Sequence, residues 1–159
     1  MTDLDWMKEA YAQAQQAEKC GEVPIGAVLV SNQNERLGQG FNQCITNHDP
    51  TAHAEIIAMR EAAEKIGNYR LVDTTLYVTL EPCPMCAGAM VHARIKRLVY
   101  GANDLRTGAA GTVFNLVQSS ELNHRLIVDG GVLEAPCREL LQAFFAKRRS
   151  TKLNKGARE

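Results

Sequence analysis

The sequence predicts one α/β domain, a sandwich of helices around a single sheet of about five strands. Three observations lead there. The chain has 159 residues, the size of one domain that buries about two-thirds of its unfolded surface. Its composition, 45% hydrophobic and 23% charged with 12 Gly and 5 Pro, is that of a globule and not of a disordered or fibrous chain. Stretches with helical spacing alternate with short β-type runs, the pattern of a layered α/β fold.

The elements follow in order. Residues 3–20 read as a helix, with Trp6, Ala10, Ala14 and Ala17 at three- and four-residue spacing, Thr2 placed to cap it and Gly21 to end it. Residues 25–31 and 36–41 are β-type runs around the polar stretch Asn32-Gln33-Asn34-Glu35, a hairpin. A second helix is predicted over 52–66, introduced by Asp49-Pro50-Thr51 and closed by Gly67. Residues 75–80 form a strand, 84–94 a short helix, and 97–102 and 125–128 further strands. The last helix is predicted over 134–149, with Leu140, Leu141, Phe144 and Phe145 on its apolar side. Residues 151–159 read as a frayed basic tail.

Several function classes lose support at once. No apolar run approaches the ~18 residues of a membrane span, the longest being residues 25–30. The N-terminus opens with Asp3 and Asp5 and has no basic-then-apolar stretch, so no membrane partner and a cytoplasmic location are expected. Five cysteines in such a chain argue for reduced thiols, and Cys20, Cys44 and Cys137 read as structural ones. Net charge is zero, but the last 13 residues hold six bases and one acid. A mildly acidic body therefore ends in a basic tail, by itself most simply a solvated helix end.

The chemistry is concentrated in two segments. His53-Ala54-Glu55 opens a helix, and Pro82-Cys83-Pro84-Met85-Cys86 follows a strand. One His and two Cys are zinc-type ligands, and cysteines at i and i+3 on a starting helix point one way. Helix N-termini also favour the thiolate. Three protein ligands leave a tetrahedral position open, the usual mark of a catalytic zinc. Glu55 sits two residues past the ligand, and on a regular helix such positions diverge by ~200°. His53 must therefore lie on the lead-in turn, before helical geometry begins, so that Glu55 can approach bound water without ligating the metal. Two other readings stay open: a structural zinc site completed by Cys44 or His48, and a thioredoxin-like redox pair. His48, His92 and His124 read as surface or hydrogen-bonding residues; of the adjacent Phe144 and Phe145 one should pack inward while the other points elsewhere, the alternative being that both are core.

The His-x-Glu and Pro-Cys-x-x-Cys segments resemble the zinc-dependent nucleobase deaminases of the cytidine deaminase-like type. Beyond that motif, Val23-Pro24-Ile25-Gly26-Ala27-Val28, residues 49–55, Asn68-Tyr69-Arg70-Leu71 and residues 79–90 are similar to bacterial tRNA-specific adenosine deaminases. So are Thr107-Gly108-Ala109-Ala110-Gly111 and the Phe144-Phe145 helix with its basic end; the likeness covers residues 4–150. The resemblance implies a three-layer α/β/α fold on a mixed sheet, a single deaminase domain over 1–150, and a homodimer with one Zn²⁺ per subunit. It implies conversion of adenosine to inosine at the wobble position of a tRNA anticodon stem-loop, with ammonia released. His53, Cys83 and Cys86 would hold zinc, and Glu55 would move protons between water, N1 and the leaving amine. Asn42 matches a position that reads the purine edge. Asp104, Asn123, Phe145 and Arg149 match positions at the RNA-binding rim, and Arg148 is an additional candidate. A small-molecule deaminase acting on guanine, cytosine or a nucleotide shares the same core and is the alternative. An RNA-binding or redox module that merely keeps zinc is a second, although it has no use for Glu55.

Overall fold

A computed structural model describes residues 1–158, with side chains described through Leu153. Four helices, α1 (Asp3–Lys19), α2 (Ala54–Ile66), α3 (Pro84–Ala93) and α4 (Glu134–Arg158), enclose five strands. These are β1 (Gly26–Val30), β2 (Arg36–Phe41), β3 (Thr75–Leu80), β4 (Arg97–Ala102) and β5 (Ile127–Asp129). The sheet order is β2-β1-β3-β4-β5. β1 runs antiparallel to both β2 and β3, whereas β3, β4 and β5 are parallel. This is the expected mixed sheet. The β3–α3–β4 crossover supplies the parallel pair, because parallel neighbours need a long connection.

Strand alternation sorts the core into two layers. Ala27, Leu29, Leu76, Val78, Leu98 and Tyr100 face α2 and α3. Val28, Val30, Tyr77 and Val99 face α1 and the lead-in to α4. Each buried strand thus serves both faces with a period of two, which makes β1 buried along its whole length. α2 lies unusually close to the sheet. A Cβ on Gly38 would stand 2.3 Å from the Ala58 carbonyl oxygen, so only glycine lets the helix backbone rest on β2. That contact sets the height at which the start of α2 meets the end of the sheet.

Most predicted bounds hold within two residues, and the departures have local causes. Thr2 caps α1 as a reciprocal box: its hydroxyl accepts from Asp5 N at 3.2 Å, and the Asp5 carboxylate accepts from Thr2 N at 2.9 Å. α2 starts at Ala54 and not at residue 52, because Asp49 accepts from both the amide and hydroxyl of Thr51 and holds a turn there. The last strand is shifted to Ile127–Asp129, since Leu126 N donates to Val117 and residue 126 is spent on the preceding loop. α4 continues past Arg149 to Arg158, so the backbone of the basic tail extends the helix. None of the helices described is long and apolar enough to cross a membrane.

A polar clasp ties the start of α1 to the strands. Arg97 donates from Nη1 and Nη2 to the two oxygens of Asp3 at 2.9 and 2.7 Å. Tyr77 donates its hydroxyl to Asp3 at 2.7 Å, and Arg97 Nε donates to Asp129 at 2.9 Å. The Arg97 hydrogen bonds, with Tyr77 assisting, hold the Asp3 carboxyl below its ordinary value of 3.8 despite partial burial. A carboxyl with a depressed pKa contributes stability above the unfolded value and loses it as pH falls through the folded one. Asp3→Asn is expected to lower stability by about 1 kcal/mol at pH 7, a figure kept small by the exposure of the pair. Urea denaturation of both proteins should show the gap closing in acid, below the ordinary carboxyl range. A gap that stays constant with pH contradicts the assignment.

Candidate metal and substrate site

The site forms where two helices begin at one end of the sheet. His53 is the N-cap of α2, with extended dihedrals (φ −77°, ψ 152°), as the spacing to Glu55 required. Cys83 is the N-cap of α3, also extended (φ −74°, ψ 171°), with Pro84 and Cys86 in the first turn. Neither residue spends its side chain on capping its own helix. The carbonyl of Asn42, at the end of β2, takes over that task at α2 and accepts from Ala54 N at 2.8 Å. At α3 the first position is Pro84, which has no N–H to satisfy.

The freed side chains converge. His53 Nδ1 lies 3.6 Å from Cys83 Sγ and 3.5 Å from Cys86 Sγ. A tetrahedral zinc with bonds of ~2.05 Å to nitrogen and ~2.3 Å to sulfur requires an N···S separation of about 3.6 Å. The donor set therefore fits zinc in chemistry and in spacing. Among the described residues no fourth His, Cys, Asp or Glu joins this group. Cys44 Sγ instead lies 4.0 Å from the Pro50 carbonyl, on its own loop. The structural-zinc reading loses its fourth ligand there. The redox reading leaves His53 unexplained, since both sulfurs face its ring.

The electrostatics of the cluster agree with a cation site. The Cys86 thiol, with help from His53, draws the Cys83 pKa down to about 4. Cys86 moves the opposite way, because Cys83 beside it and burial both disfavour a second thiolate. A divalent cation held by these residues would replace the thiol protons and let both sulfurs ionise. Glu55 lies behind the cluster, 4% exposed, and burial pushes its carboxyl above the ordinary carboxylate value.

His53 also lines a cavity of about 720 Å³, with Leu80, Ala102 and Leu141 among its apolar lining. Of the predicted substrate residues, Asn42, Asp104, Phe145 and Arg149 line it as well. Phe145 is 40% exposed, and Phe144 packs edge-on against it with ring centroids 5.4 Å apart. The two rings thus part: Phe145 lines the cavity and Phe144 a separate groove. Asp104 is engaged within its loop, accepting from Arg106 N, Thr107 N and the Thr107 hydroxyl at 2.9 to 3.1 Å.

Two predicted residues lie elsewhere. Arg148 sits 5.4 Å above the Phe144 ring and lines a separate groove with Lys19, Lys147 and Lys152. Successive helical residues diverge by ~100°, so Arg148 and Arg149 cannot share one face. Asn123 is absent from the cavity wall and accepts from Arg94 at 3.2 Å. The sequence reading also missed two buried carboxylates. Glu22 accepts from Ile45 N, Thr46 N and the Thr46 hydroxyl, and Glu81 accepts from the 104–112 loop. The available signal was an acidic residue at a strand boundary in otherwise apolar surroundings.

Comparison with known proteins places this geometry in context. Residues 1–149 match the family model of MafB19-like deaminases. The chain is 53% identical over 150 residues to a tRNA-specific adenosine deaminase of Haemophilus influenzae, covering 94% of this chain and 87% of that one. A solved tRNA:A34 deaminase, described for A-to-I editing at the wobble position, is 41% identical with a TM-score of 0.83 and covers 86% of this chain and 99% of that one. A guanine deaminase from Bacillus subtilis is 38% identical with a TM-score of 0.63, and the match covers 70% of this chain and 71% of that one.

Proposed function

The chain belongs to the MafB19-like deaminase family and groups with its tRNA-specific adenosine deaminases, and we propose that it hydrolyses adenosine to inosine at the wobble position of a tRNA anticodon loop. The observation that carries this reading is the juxtaposition at His53. Three metal donors and a buried glutamate cluster at His53, which itself lines a cavity whose walls hold an amide, an exposed phenyl ring and a guanidinium.

Zinc held by His53, Cys83 and Cys86 would supply a Lewis acid that makes water acidic enough to react at neutral pH. Glu55 takes one proton from the attacking water and delivers it to N1 of adenine. It then carries the second water proton to the amine at C6. The C6–N bond breaks, ammonia leaves, and the product keeps the water oxygen and the N1 proton. Burial suits Glu55 to this task, because a raised pKa brings its two protonation states closer in energy at neutral pH.

Asn42 orients the base. Its carbonyl oxygen is held by Ala54 N, so its amide hydrogens are left to donate to a purine ring nitrogen. Phe145 offers a face for a flanking base, and Arg149 meets a phosphate. Asp104 keeps acceptor capacity for a ribose hydroxyl. Asn123 and Arg148 would meet RNA only outside the pocket of the target nucleotide. A single-stranded loop suits this site, since its base can be turned out at low cost. A guanine or cytosine deaminase would need the metal and Glu55, but not an exposed aromatic and basic rim.

The protein is proposed to act in the cytoplasm as a homodimer with one zinc per subunit. An apolar groove between α2 and α3, lined by Ile56, Met59, Ala63, Leu71 and Ala89 beside the exposed Tyr69, is the surface a second copy would cover. Sedimentation velocity should show a dimer at micromolar protein; a lone monomer contradicts the assembly.

The function is tested by nucleoside mass spectrometry. The zinc-loaded protein should produce inosine from an anticodon stem-loop with adenosine at the wobble position and leave free adenosine, guanine and cytidine unchanged. Glu55→Ala should cut turnover by at least ~10³-fold while zinc is retained. Turnover of a free base alone removes the tRNA assignment, and near-normal activity of Glu55→Ala removes the proton carrier.

A further inference from the structure

The proposed chemistry leaves one buried carboxylate without a role. Glu81 follows the end of β3 and precedes Pro82-Cys83, and it is 2% exposed. Among the described residues it makes no ion pair. A charge in that position is costly unless its lone pairs are taken up, and here four donors take them up. Oε1 accepts from Asp104 N at 3.1 Å and from the Thr112 hydroxyl at 2.5 Å. Oε2 accepts from Ala110 N at 3.0 Å and Thr112 N at 3.1 Å.

All four donors belong to one loop, and that loop is a wall of the substrate cavity. Asp104, Leu105, Arg106 and Thr107 line the cavity between the first and last of the donors. Asp104 in turn caps Arg106 and Thr107, so an order imposed at the Asp104 amide passes directly to the lining residues. Gly108 shows how closely the loop is drawn onto the carboxylate. A Cβ there would lie 2.6 Å from Glu81 Oε1 and 2.5 Å from the Asp104 carbonyl oxygen. A second tie, from Ala109 N to the Pro82 carbonyl at 2.8 Å, anchors the loop beside the metal-bearing segment.

We infer that Glu81 is a positioning residue for substrate recognition: its carboxylate fixes the 104–107 wall of the cavity at a set distance from the metal ligands Cys83 and Cys86. It touches no reacting atom. The inference rests on the proposed function for the identity of the substrate, and on the hydrogen bonds alone for the order of the loop.

Glu81→Gln is the direct test, because it preserves the side chain's shape and turns one acceptor oxygen into a donor that faces the Asp104 N–H in one amide orientation and the Ala110 and Thr112 N–H groups in the other. Full-length, zinc-loaded protein is compared with wild type by amide hydrogen exchange, zinc content and kinetics on the anticodon stem-loop. Amides in 104–112 should exchange about tenfold faster or more, while those of α2 and α3 stay unchanged and zinc content is held. KM for the stem-loop should rise on the order of tenfold with kcat within about threefold. Thr112→Val, which removes one donor without touching the metal-bearing segment, should move both readouts in the same direction by a smaller factor. It decides the matter if Glu81→Gln does not fold. Unchanged exchange in 104–112 overturns the inference, as does a loss of zinc or of kcat with KM unaltered. A wild-type protein inactive on the stem-loop sinks the substrate reading, while the exchange pattern still decides the role of Glu81.

Discussion

Two helices start at the same end of the sheet, and neither N-cap residue caps its helix. The rest of the site depends on that constraint. A helix start ordinarily takes an oxygen-bearing side chain to satisfy its free amides. Here the two cap positions hold a histidine and a cysteine, and their side chains point toward each other at 3.5 to 3.6 Å between donor atoms, with Cys86 as the third member. The capping deficit is eased at α2 by Asn42, which takes the Ala54 amide, and at α3 by Pro84, which has no N–H to satisfy. Asn42 thereby gains a fixed orientation at the cavity wall.

The fold delivers these helix starts together through ordinary packing. β1 pairs antiparallel with β2 and β3, so the end of β2, the start of β1 and the end of β3 lie at one edge. The loops that leave those strand ends become the cavity. α2 is lowered onto β2 by Gly38, and α3 follows β3 directly. Polar groups at this edge are buried at a cost, and each is offset by specific donors: Glu22 by the 45–46 amides and Glu81 by the 104–112 loop. Glu55 is the exception, a buried acid kept beside sulfur and imidazole, where burial raises its pKa.

The sequence was legible where the signal is local. β2, β3 and β4 follow from runs with the right period and polar bounds, and Thr2 from its spacing to Asp5. The lead-in position of His53 followed from a geometric demand: His and Glu two apart cannot both face one metal on a regular helix. The resemblance to deaminases then placed Asn42, Asp104, Phe145 and Arg149, and these four do share the cavity. Long-range contacts were hidden. Glu22 and Glu81 bond to amides 23 to 31 residues away, a separation no local pattern encodes. The start of β5 was misread because residue 126 is bonded to Val117, and the separate outlooks of Arg148 and Arg149 were hidden because adjacent helical residues look equivalent in a basic run.

The central claim is an open three-ligand zinc site, and X-ray absorption at the zinc edge of the purified protein tests it most directly. The account predicts two sulfur scatterers at ~2.3 Å, one imidazole nitrogen at ~2.0–2.1 Å and one further light atom that is not supplied by the protein. A spectrum with three or more sulfurs, or with a second imidazole, would contradict it and would make the site structural.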